Sequence, residues 1–124
     1  MKNVIVWFDL PSLDFDRAIK FYSEILGAEV KVDTFMGQKL GFFPMEKEME
    51  GVGGDIVPPS EDYKPSNQGT RVYFNCENNL DEVIGRVEKA GGKIVKPKFP
   101  IGDMGWIAMV EDTEGNVVGL HGTK

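Results

Sequence analysis

The spacing of apolar residues in the first half of the chain predicts a strand, a helix and then three more strands. Residues 4–10 are mostly β-branched or aromatic, as is typical of a strand. The apolar residues that follow recur at three- and four-residue spacing, which predicts one buried helix face: Phe15, Ile19, Tyr22 and Leu26. Asp14 can cap the start of this helix, and Gly27 can end it in the left-handed conformation. Further strands are predicted over 28–34, 38–45 and 51–57.

The second half of the chain repeats this order. A strand is predicted over 70–76, and Asn78 or Asn79 can cap the helix after it. The inner face of that helix carries Leu80, Val83, Ile84 and Val87. Gly91 and Gly92 end it, and three more strands are predicted over 93–96, 105–110 and 116–121. Because each half is too small to bury its own sheet, the repeat predicts two modules with a shared core.

This pattern gives a single domain over residues 1–124. Module 1 comprises residues 1–57 and module 2 residues 70–124, and the segment 58–69 between them has the Pro, Ser and Asn content of a linker. The charged run 46–50 is predicted to be a solvated hairpin tip.

The end of the chain, Asp-Thr-Glu-Gly-Asn-Val-Val-Gly-Leu over 112–120, carries a family resemblance. It resembles the closing hairpin of the glyoxalase, bleomycin-resistance and extradiol-dioxygenase superfamily, which has the vicinal oxygen chelate fold. Other segments resemble the same family in its order: 6–11, 16–22, 26–27, 69–74, 86–93 and 105–108. The resemblance implies an α+β fold of two βαβββ modules, whose mixed sheets curl around a cup. Many members of the family are homodimers, so a homodimer is expected here.

The resemblance also implies that a metal would be bound by residues on the first and fourth strands of each module. The matching positions are Trp7, Arg71 and Gly119, with the fourth near Gly54 or Asp55. Tryptophan only donates hydrogen bonds, arginine is permanently cationic and glycine has no side chain, so three of these positions cannot hold a metal. No metal cofactor is therefore expected.

A displaced metal site is the alternative. Side chains two apart on a strand share a face, so Asp9, Asp55 and His121 could point the same way as the family's ligands. Two carboxylates and one imidazole would suit a divalent ion such as Zn, Ni, Mn or Fe. Both Asp9 and His121 fall at predicted strand ends, which favours a place on the rim of the cup.

The same faces also predict a cup that binds a ligand without a metal. Its aromatic lining would be Trp7, Phe43, Tyr73 and Trp106. Arg71 could hold a carboxylate or phosphate by a bidentate contact, with Asp9 or Asp55 near it, or could instead form an internal ion pair. The candidate ligand-binding residues are Trp7, Asp9, Phe43, Asp55, Arg71, Tyr73, Trp106 and His121. An apolar pocket with a few convergent polar groups is typical of a small-molecule site.

The composition of the chain limits the classes of binding partner that we expect. The formal net charge of −6 argues against nucleic acid, because phosphate binding needs Lys and Arg to displace counterions. It is compatible with neutral or cationic ligands, or with solubility alone. No apolar run approaches the ~20 residues that span a bilayer, so no membrane partner is expected. The single cysteine, Cys76, indicates a reducing cytoplasm and suits a packing role.

Three functions stay open on the sequence. The first is a cytoplasmic, dimeric, glyoxalase-like protein that binds a small organic molecule without a metal. The second is an enzyme related to lactoylglutathione lyase or to the dioxygenases, with the displaced metal site or with metal-free acid–base chemistry. The third is a ligand-sensing regulatory module. A fold alone does not decide among them.

Overall fold

The computed structural model describes residues 3–47 and 51–124. The elements of module 1 are β1 (Trp7–Pro11), α1 (Phe15–Leu26), β2 (Lys31–Phe35), β3 (Gln38–Phe42) and β4 (Gly53–Val57). Those of module 2 are β5 (Tyr73–Asn75), α2 (Leu80–Val87), β6 (Lys93–Pro100), β7 (Trp106–Glu111) and β8 (Val117–Gly122). Residues 48–50 of the predicted hairpin tip lie outside the described residues.

Each module forms one four-stranded mixed sheet, and the two strand orders are the same. The first sheet has the order β1-β4-β3-β2 and the second β5-β8-β7-β6. The outer pairs β1–β4 and β5–β8 are parallel, and the other neighbours are antiparallel. The predicted α+β class and the two βαβββ modules are confirmed.

Several predicted strand limits were wrong. The first strand was predicted over 4–10, but it begins at Trp7, because its partner β4 begins opposite Trp7 at Gly53. Strand β5 is shorter than the predicted 70–76, and β6 runs well beyond the predicted 93–96. The register of β6 against β7 shifts twice, and such irregularities let a strand continue through a proline such as Pro97.

Helix α1 begins and ends where the sequence predicted. The Asp14 side chain accepts a hydrogen bond from the Arg17 backbone N–H at 3.1 Å, and Gly27 follows the helix with a left-handed φ of 65°. Helix α2 begins after Asn79, whose side chain makes no capping bond. Arg86 of α2 donates from its guanidinium to the Ile25 carbonyl at 3.0 Å, so it satisfies one free carbonyl at the end of α1.

The two modules share one hydrophobic core, as the repeat predicted. Its centre is a group of aromatic rings whose neighbouring centroids lie 5.2–5.8 Å apart, contributed by Phe8, Tyr22, Phe43 and Phe74. Cys76 is buried beside this group, and burial raises the pKa of its thiol to about 11. A thiol with so high a pKa packs as a small apolar side chain.

A buried polar network also joins the modules. Glu114, in the turn before β8, accepts hydrogen bonds from the backbone N–H groups of Leu13 and Asp14 at 2.8 and 2.7 Å. The same carboxylate binds the Arg17 guanidinium through Nε at 2.8 Å. Beside it, the Tyr22 hydroxyl donates to Asp112 at 2.6 Å. The acidic turn of module 2 therefore holds the start of the module 1 helix.

Within the two described ranges, no helix is long and apolar enough to cross a membrane.

Candidate functional site

A cavity of about 950 Å³ lies on the sheet of module 1. Its aromatic wall is formed by Trp7, Phe35, Phe42, Phe43 and Tyr63. Its polar lining is Asp9, Asp33, Thr34, Gln38 and Asp55, and its aliphatic lining is Val6, Leu40, Met45 and Val57. A mainly apolar cavity of this size with a few polar groups is typical of a small-molecule site.

Two carboxylates stand side by side in this cavity. Strands β1 and β4 are parallel, and their register sets Asp9 opposite Asp55. Asp55 is 3% exposed, and its Oδ2 accepts a hydrogen bond from the Trp7 indole N–H at 3.3 Å. The other oxygen, Oδ1, is buried and has no hydrogen-bond partner among the described residues. A buried carboxylate oxygen in this state favours a proton or an incoming donor.

The pKa of Asp55 reflects these surroundings. Burial raises the pKa, and Asp9 also raises it through its charge and through a hydrogen bond that the protonated form can make. With the opposing effect of the Trp7 hydrogen bond, the pKa of Asp55 rises from 3.8 to about 7. Near pH 7, Asp55 is therefore divided between its protonated and ionised forms beside the Asp9 carboxylate. A pair of this kind can bind a cation or act in general acid–base chemistry.

Tyr63 closes one side of the cavity from the linker. Its hydroxyl donates to the Asp9 carbonyl at 3.0 Å, and the ring is 41% exposed. Burial raises the pKa of Tyr63, and the charges of Asp9 and Asp55 add to the effect. The segment 58–69 is therefore more than a connection, since it brings an aromatic wall to module 1.

The structure brings together only half of the residues predicted for the site. Trp7, Asp9, Phe43 and Asp55 line the cavity. Tyr73, Trp106 and His121 lie on the sheet of module 2, and Arg71 lies just before β5. None of these four is part of the cavity wall, so they do not form one cup with the first four.

The surroundings of the module 2 candidates explain their separation from the cavity. Arg71 is exposed and does not line the cavity. His121 Nε2 lies 2.6 Å from the Met104 carbonyl oxygen, and His121 belongs to the second sheet, whereas Asp9 and Asp55 belong to the first. The Trp106 ring is covered by the Lys98 ammonium group, which lies 4.7 Å from its centroid.

An aromatic ring lies over a glycine at the same place in each module. Trp7 is paired with Gly53 in the β1–β4 register, and Tyr73 with Gly119 in the β5–β8 register. A Cβ at Gly53 would come within 2.6 Å of the Trp7 ring, and one at Gly119 within 2.3 Å of the Tyr73 ring. The register therefore makes Tyr73, not Arg71, the counterpart of Trp7.

Several cavity residues were missed from the sequence. They are Val6, Asp33, Thr34, Phe35, Gln38, Leu40, Phe42, Met45, Val57 and Tyr63. The alternation of side chains along a strand could have identified some of them, because Gln38, Leu40 and Phe42 share one face of β3. Phe42 stands opposite Asp55 in the β3–β4 register, so knowledge of that register would have placed this face in the cavity.

Comparison with known sequences decides the family. The profile of the Glyoxalase/Bleomycin resistance protein/Dioxygenase superfamily matches residues 4–120. The chain belongs to this superfamily. A protein of Mycobacterium bovis named "Putative glyoxylase CFP32" is 28% identical over 117 residues, as is its counterpart in Mycobacterium tuberculosis. The match covers 92% of this chain but 43% of each relative, so the chain spans less than half of their length.

Solved structures show the same fold. A glyoxalase/bleomycin resistance protein from Albidiferax ferrireducens superposes with a TM-score of 0.72 at 16% identity, covering 97% of this chain and 98% of that one. The fosfomycin resistance protein FosX from Listeria monocytogenes, solved with Mn(II) and 1S,2S-dihydroxypropylphosphonic acid, gives 0.65 at 19% identity, covering 98% and 90%. At these identities the likeness establishes the superfamily fold alone.

The residues of this chain do not fit the metal centre that the superfamily resemblance implies. Two of the positions concerned carry the ring-over-glycine arrangement, at Trp7 and at Gly119. Among residues 3–47 and 51–124, no three or more His, Cys, Asp and Glu side chains are grouped so that they could hold a metal ion. The displaced set of Asp9, Asp55 and His121 is divided between the two sheets.

A glutamate at position 119 tests the ring-over-glycine arrangement. We expect Gly119→Glu to lower the free energy of unfolding by about 1–3 kcal/mol, because its Cβ would collide with the Tyr73 ring. Urea denaturation measures this loss, and the double variant Gly119→Glu/Tyr73→Ala should recover part of it. The control is Gly85→Glu, because a Cβ at Gly85 meets no atom within 4 Å. Equal stability of Gly119→Glu and wild type would show that the Tyr73 ring moves aside at little cost.

Proposed function

We propose that this member of the superfamily binds a small organic molecule in the cavity of module 1, without a metal ion. The observation that carries the proposal is the buried Oδ1 of Asp55, which has no hydrogen-bond partner in the described part of the chain and lies in an aromatic-walled cavity of about 950 Å³. Burying a polar group without a partner costs free energy, and a ligand donor would remove that cost. The ring-over-glycine pairs support a site without a metal, since they occupy positions where a metal ligand would stand.

The chain supplies its own reporter for this proposal, because Trp7 lines the cavity and Trp106 lies outside it. Trp106→Phe leaves Trp7 to report on the cavity, and Trp7→Phe leaves Trp106 as a matched control. We expect a mixed-charge library of small aromatic compounds to contain members that change the fluorescence of Trp106→Phe and leave that of Trp7→Phe unchanged. Isothermal titration of the wild type then measures the affinity of each active compound.

Two outcomes would contradict the proposal. One is that no compound of the library alters the fluorescence of Trp7 at millimolar concentration. The other is a response carried equally by both single-tryptophan variants, which would place binding outside the cavity. Elemental analysis of the untagged protein, after soaking in Zn, Ni, Mn and Fe(II), tests whether the site binds a metal. If the protein retains nearly one metal ion per chain and Asp55→Asn removes it, the proposal of a metal-free site is wrong.

Homodimer formation and a cytoplasmic location, both expected from the sequence, stay proposals. Support for the dimer comes from apolar side chains of module 2 that are exposed in the single chain, such as Tyr73 at 50% and Met104 at 70%. Sedimentation equilibrium of the full chain distinguishes a dimer from a monomer.

A further inference from the structure

We propose that the ligand of the module 1 cavity is an organic cation: an apolar, preferably aromatic body that carries a quaternary or protonated amine. This inference rests on the proposed function, since it specifies the class of molecule that the cavity binds. It is carried by the charges that line the cavity, by the free oxygen of Asp55 and by the aromatic walls.

The ionisable lining of the cavity is acidic or phenolic. Strand β1 contributes Asp9, β2 contributes Asp33, β4 contributes Asp55, and the linker contributes Tyr63. Strand β3 contributes Gln38 and apolar side chains. Among the described residues that line the cavity, there is no Lys, Arg or His. An anionic ligand would therefore meet carboxylates without a compensating positive charge, whereas a cation would be attracted.

Lysines follow the cavity-lining residues on neighbouring segments, and among the described residues Lys31 is the one whose register places it on the cavity face of the sheet. Lys31 is opposite Phe42 in the β2–β3 register, so its side chain starts on the same face of the sheet as Asp55. It is exposed and is not part of the cavity wall. A solvated ammonium group at the edge of the sheet does not neutralise a carboxylate that is 3% exposed at the cavity floor.

Asp55 gives the cation a definite anchor. One of its oxygens accepts the Trp7 N–H, while Oδ1 is buried in the cavity without a partner in the described residues. In the protonated form, Asp55 can hydrogen-bond to Asp9, which relieves the repulsion between the two carboxylates. A ligand cation can take the place of that proton, because either positive charge relieves the repulsion between the two carboxylates. Binding of a permanent cation should then release protons and strengthen as the pH rises from 6 to 8.

The walls suit the same class of ligand. Cations bind favourably over the faces of Trp, Tyr and Phe rings, and quaternary ammonium groups are often held in aromatic cages. Trp7 and Phe42 stand edge to face with their ring centroids 6.1 Å apart, beside the carboxylate pair. Tyr63 reaches the same place from the linker, where its hydroxyl binds the Asp9 carbonyl. A methylated amine would therefore contact rings while its charge faces Asp55.

The test compares three probes of nearly the same shape on the wild-type chain. They are benzyltrimethylammonium, its uncharged carbon isostere neopentylbenzene, and the anion phenylmethanesulfonate. Protein-observed NMR gives each dissociation constant and shows whether the Trp7 indole N–H signal shifts. We expect the cation to bind at least about tenfold more tightly than either other probe, as roughly 1.4 kcal/mol of cation–π and charge attraction implies.

A pair of charge-matched variants locates the effect. Asp55→Asn keeps the size of the side chain and an acceptor for the Trp7 N–H, but removes the charge. Asp103→Asn removes one charge from an exposed turn of module 2. We expect the first to weaken cation binding by about tenfold and to abolish its pH dependence, and the second to change it by less than about twofold.

Other results would overturn the inference in distinguishable ways. Equal or tighter binding of the uncharged or anionic probe, with the Trp7 signal shifted, would refute the cation while leaving small-molecule binding in the cavity intact. Equal losses in both variants would assign the attraction to overall charge. Absence of binding by all three probes would refute the cation, and the single-tryptophan library experiment would then decide whether the cavity binds any molecule.

Discussion

Replacing Glu114 with alanine lowers the free energy of unfolding by roughly 2–4 kcal/mol, the largest loss that we expect from a single polar substitution in this chain. The carboxylate accepts the backbone N–H groups of Leu13 and Asp14 and the guanidinium of Arg17. Its removal leaves two backbone donors at the start of α1 without this acceptor. Arg17 is half-exposed and can turn to water, so the loss arises mainly from those donors.

Urea denaturation at pH 7 measures the effect. Glu114→Gln keeps the size and one acceptor, so it should cost about half as much as alanine. Glu88→Gln, on an exposed position after α2, is the control and should change stability by less than about half a kcal/mol. A Glu114→Ala variant as stable as Glu88→Gln would mean that the carboxylate does not hold the modules together.

The same contact predicts sensitivity to acid. Burial acts to raise the pKa of Glu114, but hydrogen bonds from Arg17, Thr113, Asp14 and Leu13 prevail and lower it below its ordinary value of 4.5. A carboxyl whose pKa is lower in the folded state stabilises the fold above its unfolded pKa, and this contribution is lost as the pH falls through the folded pKa. The stability difference between wild type and Glu114→Gln should therefore shrink below pH 4.5.

Replacing Asp55 with asparagine stabilises the protein in alkaline solution. Burial, with the hydrogen bond and charge of Asp9, raises the folded pKa of Asp55 from 3.8 to about 7. Because the folded state holds the proton more tightly, the contribution of Asp55 to wild-type stability is greatest below the unfolded pKa and is lost as the pH rises through about 7. Asparagine does not ionise, so the free energy of unfolding of Asp55→Asn relative to wild type should increase by about 2–3 kcal/mol between pH 5 and pH 8.

Chemical denaturation of wild type and Asp55→Asn at the two pH values gives this difference directly. Asp103→Asn serves as the control, because it removes an exposed carboxylate and should show no such pH-dependent gain. If the stability difference between wild type and Asp55→Asn is the same at pH 5 and pH 8, then Asp55 ionises in the folded state as easily as in the unfolded chain. Because Asp55→Asn is expected to be at least as stable as wild type, a loss of ligand binding in this variant would not be caused by unfolding.

The fold could be predicted because its signals are local and repeated. The spacing from Phe15 to Leu26 sets one helix face, and Asp14 and Gly27 mark its ends. The same order of elements occurs twice, and the segment 112–120 carries the family resemblance. The ends of the strands were less certain, because a strand continues only where a neighbour supplies hydrogen bonds. Thus β1 begins opposite the first residue of β4.

The candidate site was predicted only in part. Trp7, Asp9, Phe43 and Asp55 were found from the expected faces of their strands, and the structure places them in one cavity. Arg71, predicted as a contact for an anionic ligand, is exposed outside the cavity, and β5 begins two residues later at Tyr73. The aromatic wall from β2, β3 and the linker depends on strand register and on how residues 58–69 return to Asp9.

The sequence by itself determined the superfamily, the two βαβββ modules and the loss of ordinary metal ligands at Trp7 and Gly119, because each follows from residue type and local order. Only the tertiary structure decided that the acidic turn at Glu114 holds the start of α1, about a hundred residues earlier in the chain. It also decided that Asp55 is buried beside Asp9, with one carboxylate oxygen that no described residue hydrogen-bonds. Burial, register and the pairing of distant donors and acceptors depend on the whole packed chain, and they set the charge that the cavity presents to a ligand.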